Sequence, residues 1–335
     1  MTDGPSRLDQ FVEDILVGPD ELAAALDHHG RGIAEIPPEL LGRPRWRFAG
    51  MGSSLFAALD AAAAMRATGR DAAAELASSS SWSPPGHDTL VIAISNSGRT
   101  PEVVAAADHH RGHSHVVALT GRVESPLSDR ADIVLPLVAG RAEQAGISNL
   151  SYRSTVAALR LFSGAVAPEL GATGMPAAVP ALEALLKDRG DWLGGAADAL
   201  DTGRPIHVLG DGARIGGVAQ AALMLREAPR IEAIAYDTGD WLHVGLYTLF
   251  PGDVVLLFTG SPADGETIAT VHARDARVVT VGAPHPDGDL AIPLPDAAVA
   301  DPAVRALVEP AVAEVLAAEL WRRADAETVS EGPPA

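Results

Sequence analysis

Three hydroxyl residues, Ser95, Ser97 and Thr100, fall close together in the segment Ile94–Ser95–Asn96–Ser97–Gly98–Arg99–Thr100–Pro101–Glu102. An apolar strand ends at this point, and Pro101 suits the first turn of a helix. Hydroxyls and the first free N–H groups of a helix converge at such a junction, and the helix dipole makes that end positive. The chemistry this favours is anion binding, with Asn96 beside the hydroxyls. No lysine stands at P-loop spacing, which argues against a nucleoside triphosphate. The alternative is a helix cap with spare serines.

A second strand-to-helix junction is Gly50–Met51–Gly52–Ser53–Ser54. It lacks the third glycine of a dinucleotide fingerprint, and no acidic residue ends the next strand in the expected place. Ser53 and Ser54 therefore read as contacts for substrate hydroxyls, or the segment is only a tight turn. A third constellation is Leu225–Arg226–Glu227, followed sixteen residues after the glutamate by His243, within Gly239–Asp240–Trp241–Leu242–His243–Val244–Gly245. Glu227 closes a helix just before Pro229. A carboxylate at a helix C-terminus is disfavoured by the dipole. That placement suits a general base with a raised pKa. Each residue taken alone is also compatible with a purely structural role.

The elements that position these loops occur twice. Trp46–Ala49 and its glycine loop return as Ile206–Leu209 and Gly210–Asp211–Gly212. Apolar runs at Leu90–Ser97, His115–Thr120 and Asp132–Leu137 recur at Asp253–Ser261, Arg277–Gly282 and Leu290–Leu294. The offset stays near ~160 residues, the mark of an internal repeat. Short apolar strands alternating with helices such as Leu55–Ala67 and Pro101–Arg111 predict parallel sheets covered on both faces. The expected organisation is a helical cap over residues 1–45, an α/β unit over 46–165, a helical connector over 166–203, a second α/β unit over 204–325 and a flexible tail over 326–335. One helix, Pro302–Ala324, is expected to close the second unit.

Composition narrows the function. The chain has 335 residues and a formal charge of −19, which disfavours nucleic acid as a partner. It shows no apolar run of about 18 residues and no basic-then-apolar leader, so neither a membrane span nor a signal peptide is expected. The absence of cysteine removes thiolate metal ligands and a cysteine nucleophile, and it fits a cytoplasmic protein. Lys187 is the sole lysine, so a Schiff base would have to form there. The run Asp108–His109–His110–Arg111–Gly112–His113–Ser114–His115 could hold a metal, but it reads better as a solvated helix end. No metal and no cofactor are expected.

From about residue 20 to residue 322 the sequence resembles the tandem sugar isomerase (SIS) domain family, in the arrangement of the isomerase half of glucosamine-6-phosphate synthase. Gly50–Ser54 matches that family's Gly-x-Gly-[Ser/Thr]-Ser loop and Ser95–Thr100 its Ser-x-Ser-Gly-x-Thr phosphate loop. Glu143–Gln144–Ala145–Gly146–Ile147–Ser148 is similar to its Glu-x-x-Val-Ala-Ser stretch, and Glu227, Ala235–Tyr236 and His243 to its second-half signature. The resemblance implies two doubly wound, flavodoxin-like parallel-sheet domains in one chain and a homodimer. It implies that Ser95, Ser97 and Thr100 hold a sugar phosphate with Asn96 beside them, and that Ser53, Ser54 and Ser148 contact the sugar. Glu227 would move a proton between C1 and C2. His243 would assist ring opening from the neighbouring subunit. The sequence departs from the family at Met224 and at Arg99, which replace a lysine and a commonly acidic residue, and at the C-terminal lysine, which is missing. Without cysteine, ammonia from glutamine is not expected.

The expected activity is aldose–ketose isomerisation of a sugar phosphate or amino-sugar phosphate through an enediol. The alternatives are fructosamine-6-phosphate deglycation or amino-sugar phosphate deamination, and a non-catalytic phosphosugar sensor.

Overall fold

The computed structural model describes residues 5–137, 143–170 and 172–331. The chain forms two compact units. The N-terminal unit comprises 18–143 and 148–179, and the C-terminal unit comprises 1–17, 144–147 and 180–335. The expected cap over 1–45 is thus divided. The helix α1 (Arg7–Leu16) belongs to the C-terminal unit, and α2 (Gly18–Ala34) and α3 (Pro38–Leu41) to the N-terminal one. Two observations explain the division. Phe11 on α1 is fully buried, with its ring 6.4 Å from that of Trp321, and the Asp14 carboxylate accepts from the Gln144 and Ala145 amides at 2.9 and 3.3 Å. Ser6 and Asp9 start α1 with reciprocal side-chain caps, which satisfy two otherwise unpaired backbone donors.

The N-terminal unit is built on a parallel sheet of order β2-β1-β3-β4-β5. Its strands are β1 (Arg45–Gly50), β2 (Asp71–Leu76), β3 (Thr89–Ile94), β4 (His115–Thr120) and β5 (Ile133–Pro136). Its helices include α4 (Ser53–Ala67), α5 (Pro101–His110) and α6 (Leu150–Val166). Every residue of β3 is buried, as a central parallel strand covered on both faces requires. Truncating fully buried Ile92 to alanine would cost about 2–5 kcal/mol.

The C-terminal unit repeats the topology with order β7-β6-β8-β9-β10. The strands are β6 (Ile206–Gly210), β7 (Ala233–Asp237), β8 (Val254–Phe258), β9 (Arg277–Gly282) and β10 (Leu290–Pro293). Around them run α7 (Ala178–Lys187), α8 (Leu193–Leu200), α9 (Ile215–Glu227), α10 (Thr238–Trp241), α11 (Asp264–His272), α12 (Asp296–Ala300), α13 (Pro302–Val308) and α14 (Pro310–Glu331). Two expectations are corrected here. The single helix expected from Pro302 is two, because Pro310 lacks the N–H that would continue α13. Residues 326–331, expected in the tail, continue α14; no glycine or proline interrupts the chain until Gly332.

Candidate active site

In the N-terminal unit β1 and β3 are hydrogen-bonded neighbours in parallel register, with Ala49 opposite Ala93. The chain leaves β1 toward β2 on one side and β3 toward β4 on the other. This is the topological switch point of the sheet, where the connections diverge and leave a crevice beyond the strand ends. The two predicted loops both begin at that edge.

The Ser95–Thr100 loop is tightly determined. Ser95 is buried, and its hydroxyl lies 2.9 Å from the Thr100 hydroxyl and 3.4 Å from that of Ser97. Ser97 Oγ also accepts from the Arg99 amide at 3.2 Å. Thr100 is the N-cap of α5 with no side-chain cap bond, and Pro101 follows it. The Thr100 hydroxyl is therefore turned to Ser95 and not to the helix amides. Asn96 and Ser97 are exposed, as is Arg99. Gly98 has φ +63°, and a Cβ there would lie 2.3 Å from Ser125 Oγ and 2.8 Å from Thr120 Oγ1. Only glycine fits this turn. The Asn96 backbone is pinned by the Gly121 amide at 3.0 Å.

The first loop is shaped by the same constraint. A Cβ on Gly50 would lie 2.9 Å from the Leu55 amide nitrogen, so the helix packs directly on the strand end. Gly52 caps α4 with φ +51° and ψ −128°. Ser53 and Ser54 are the first two residues of α4 and are half-buried. Ser148 is also half-buried, one residue before Asn149, the cap of α6. All seven expected binding residues thus belong to the N-terminal unit.

Residues 39–163 match the SIS domain family. No curated protein sequence matches the chain. Among solved structures, the C-terminal domain of glucosamine-fructose-6-phosphate aminotransferase from Francisella tularensis is similar at 16% identity and TM-score 0.78. It covers 94% of this chain and 96% of that one. Tagatose-6-phosphate ketose/aldose isomerase from Escherichia coli is similar at 19% identity and TM-score 0.78, over 95% and 93% of the two chains. Glucosamine-6-phosphate deaminase from Thermotoga maritima is similar at 19% identity and TM-score 0.69, over 96% and 95%. At these identities the likeness is one of fold. The SIS match contains the Ser53–Ser54 and Ser95–Thr100 loops and Ser148.

The C-terminal unit has its own switch point, between β6 and β8, and its chemistry differs from that of the SIS-matched unit. Arg214, at the start of α9, donates to both carboxylate oxygens of Glu309 and to the carbonyl of Thr259 at 3.0 Å. Arg305 donates to the same carboxylate and carbonyl, each at 2.7 Å. The Asp264 carboxylate accepts from the Gly260 and Ser261 amides at 2.6 and 3.2 Å. Burial pushes the Asp264 pKa up, against those bonds and nearby Arg214. Where the SIS-matched unit offers neutral hydroxyls, this unit is filled by paired charges. Sequence reasoning missed the cluster, because Arg214 and Glu309 stand 95 residues apart.

Glu227 and His243 also belong to the C-terminal unit. Glu227 is the last residue of α9. Burial of its carboxyl raises its pKa above the ordinary value, opposed by Arg7 and Arg226. The residue as a whole is exposed, so the push is partial. His243 is exposed in the turn after α10, its amide donating to the Asp240 carbonyl at 2.9 Å.

No helix among the described residues is long and apolar enough to cross a membrane. The histidine run is for the most part the expected solvated helix end, with Asp108, His109, Arg111 and His113 exposed at the close of α5, and His110 is the exception. His110 is buried and its Nδ1 lies 3.0 Å from Ser114 Oγ, while the His109 ring packs 5.3 Å from Trp82. Burial lowers the His110 pKa to about 4.

Proposed function

We propose that this protein is a phosphosugar-binding enzyme of tandem SIS architecture that interconverts an aldose phosphate and a ketose phosphate, or their amino derivatives. The observation that carries the reading is the Ser95–Thr100 loop. It sets the Ser97 and Thr100 hydroxyls within bonding distance of that of Ser95 at a helix start and a switch point, inside the residues that match the SIS family. A phosphate there would take hydroxyl donors and the positive end of α5. In this reading Ser53, Ser54 and Ser148 receive the sugar hydroxyls.

The reaction follows from the acidity of hydrogens next to a carbonyl. Glu227 as base takes the proton from C2 of the open-chain aldose, the C1–C2 enediol forms as the proton of O2 passes to O1, and the proton held by Glu227 returns to C1 to give the ketose. A carboxylate with a raised pKa is better matched to that transfer than an ordinary one. His243 assists ring opening, from the neighbouring subunit of a homodimer. No step uses a metal, a cofactor or a Schiff base at Lys187.

A second reading shares the proton abstraction but releases the amine of a 6-phosphorylated amino sugar. The likeness to a structure named glucosamine-6-phosphate deaminase favours keeping it. Incubation with glucose 6-phosphate, fructose 6-phosphate or glucosamine 6-phosphate in deuterated water, followed by NMR, tests both. Exchange at C1 or C2 supports the enediol, and ammonia release selects the second reading. Tight binding without exchange or turnover would contradict both and leave a sensor.

A further inference from the structure

We infer that His207 is a positioning residue for the turn that carries His243, acting through the indole of Trp241. The inference rests on the proposed role of His243 for its functional meaning, but its structural content stands alone.

Both partners are buried, His207 at 2% exposure and Trp241 at 0%. The indole Nε1–H of Trp241 donates to His207 Nδ1 at 2.8 Å. An accepting Nδ1 assigns the neutral ring with its proton on Nε2. The two rings meet edge to face at 6.1 Å and 87°, and the Tyr236 ring stacks on His207 at 5.8 Å. His207 stands on β6, paired on both sides by β7 and β8. The indole is therefore tied to a rigid strand inside the sheet.

The turn is clamped to that indole on both sides of His243. Trp241 ends α10, whose start is capped by Asp237 accepting from the Asp240 amide at 2.8 Å. Two residues after His243, Gly245 lies flat on the indole, so that a Cβ there would fall 2.1 Å from Trp241 Cδ1. The exposed imidazole of His243 takes its position from the backbone on either side. Packing alone would let the indole shift within its pocket. The bond to His207 fixes its orientation, and removing the acceptor strands a buried donor. A lone histidine in the apolar run Ile206–Gly210 is the sequence signal for this role.

The test compares the parent with His207→Leu and Trp241→Phe, each first shown to be folded by circular dichroism. Trp241→Phe keeps an aromatic ring and serves if His207→Leu does not fold. Amide exchange of residues 238–246 is predicted to quicken about tenfold or more, confined to that segment. Unchanged exchange there would overturn the inference. Turnover on whichever of the three sugar phosphates is active is then measured in the parent and His243→Ala backgrounds. His207→Leu is predicted to lower kcat about tenfold in the first and leave it unchanged in the second. Equal losses in both backgrounds would overturn action through His243. If His243→Ala itself keeps parental kcat, or no sugar turns over, the catalytic reading of His243 fails, and the exchange result alone decides the positioning claim.

Discussion

Arg214 donates from one nitrogen to both carboxylate oxygens of Glu309, at 2.7 and 2.6 Å, and so fills the switch point of the C-terminal unit with a buried ion pair. The side chains are 14% and 8% exposed, and Arg305, at 12%, shares the same carboxylate. The corresponding junction of the N-terminal unit carries Ser95, Ser97 and Thr100. One topology thus presents two chemistries, and the difference has measurable consequences.

Glu309→Ala strands two largely buried guanidinium groups. Loss of one partner of a buried pair costs about 3–5 kcal/mol. Denaturant unfolding should show a loss of that order, while sugar-phosphate affinity stays at the parental value. A loss of affinity with stability unchanged would place ligand binding in the C-terminal junction instead.

His29 predicts a pH dependence of stability. It is buried, its Nε2 lies 2.9 Å from Ser154 Oγ, and burial followed by His28 lowers its pKa from 6.5 to about 4. The unfolded chain therefore takes up a proton at higher pH than the folded one. Its contribution is fully present above pH 6.5 and is lost as pH falls from there toward 4. The shift corresponds to about 3 kcal/mol. Unfolding curves at pH 7 and pH 4.5 should converge for His29→Gln relative to the parent. An equal acid loss in both proteins would assign it to other groups.

Glu227→Gln keeps the shape of the side chain and removes the base. Turnover should fall by about 10²–10⁴-fold with little change in substrate affinity. The raised pKa gives a second readout. The acid limb of the parental kcat profile should lie above the ordinary glutamate value of 4.5, and it should vanish in the variant. Unchanged exchange of substrate hydrogen in Glu227→Gln would remove it from the mechanism.

Much of this was legible in the sequence where local signals were strong. The runs His115–Thr120 and Arg277–Gly282 form strands over the same residues, and the run from Leu90 supplies most of β3, because continuous apolar stretches bounded by polar residues suit central parallel strands. The edge strands β2 and β7 were not read. Asp71–Ala–Ala–Ala–Glu–Leu76 has little β-propensity and is only half-buried. The membership of α1 in the C-terminal unit depends on Phe11 meeting Trp321 and on Asp14 capping the Gln144 and Ala145 amides. No local pattern encodes contacts that distant. At the site, the hydroxyl loop was legible because its residues are consecutive. The Arg214–Glu309–Arg305 cluster and the His207–Trp241 bond were not, because each joins separate elements.

The central claim is that the Ser95–Thr100 loop holds the phosphate of a sugar phosphate, and titration calorimetry tests it most directly. Fructose 6-phosphate and fructose are titrated into the parent and into the Ser97→Ala, Thr100→Ala double variant. Hydrogen bonds to a charged group are worth about 1.5–3 kcal/mol each. The account predicts that the parent prefers the phosphorylated sugar and that the folded double variant loses roughly 100-fold or more in its affinity. Equal affinity of parent and double variant for fructose 6-phosphate would contradict it.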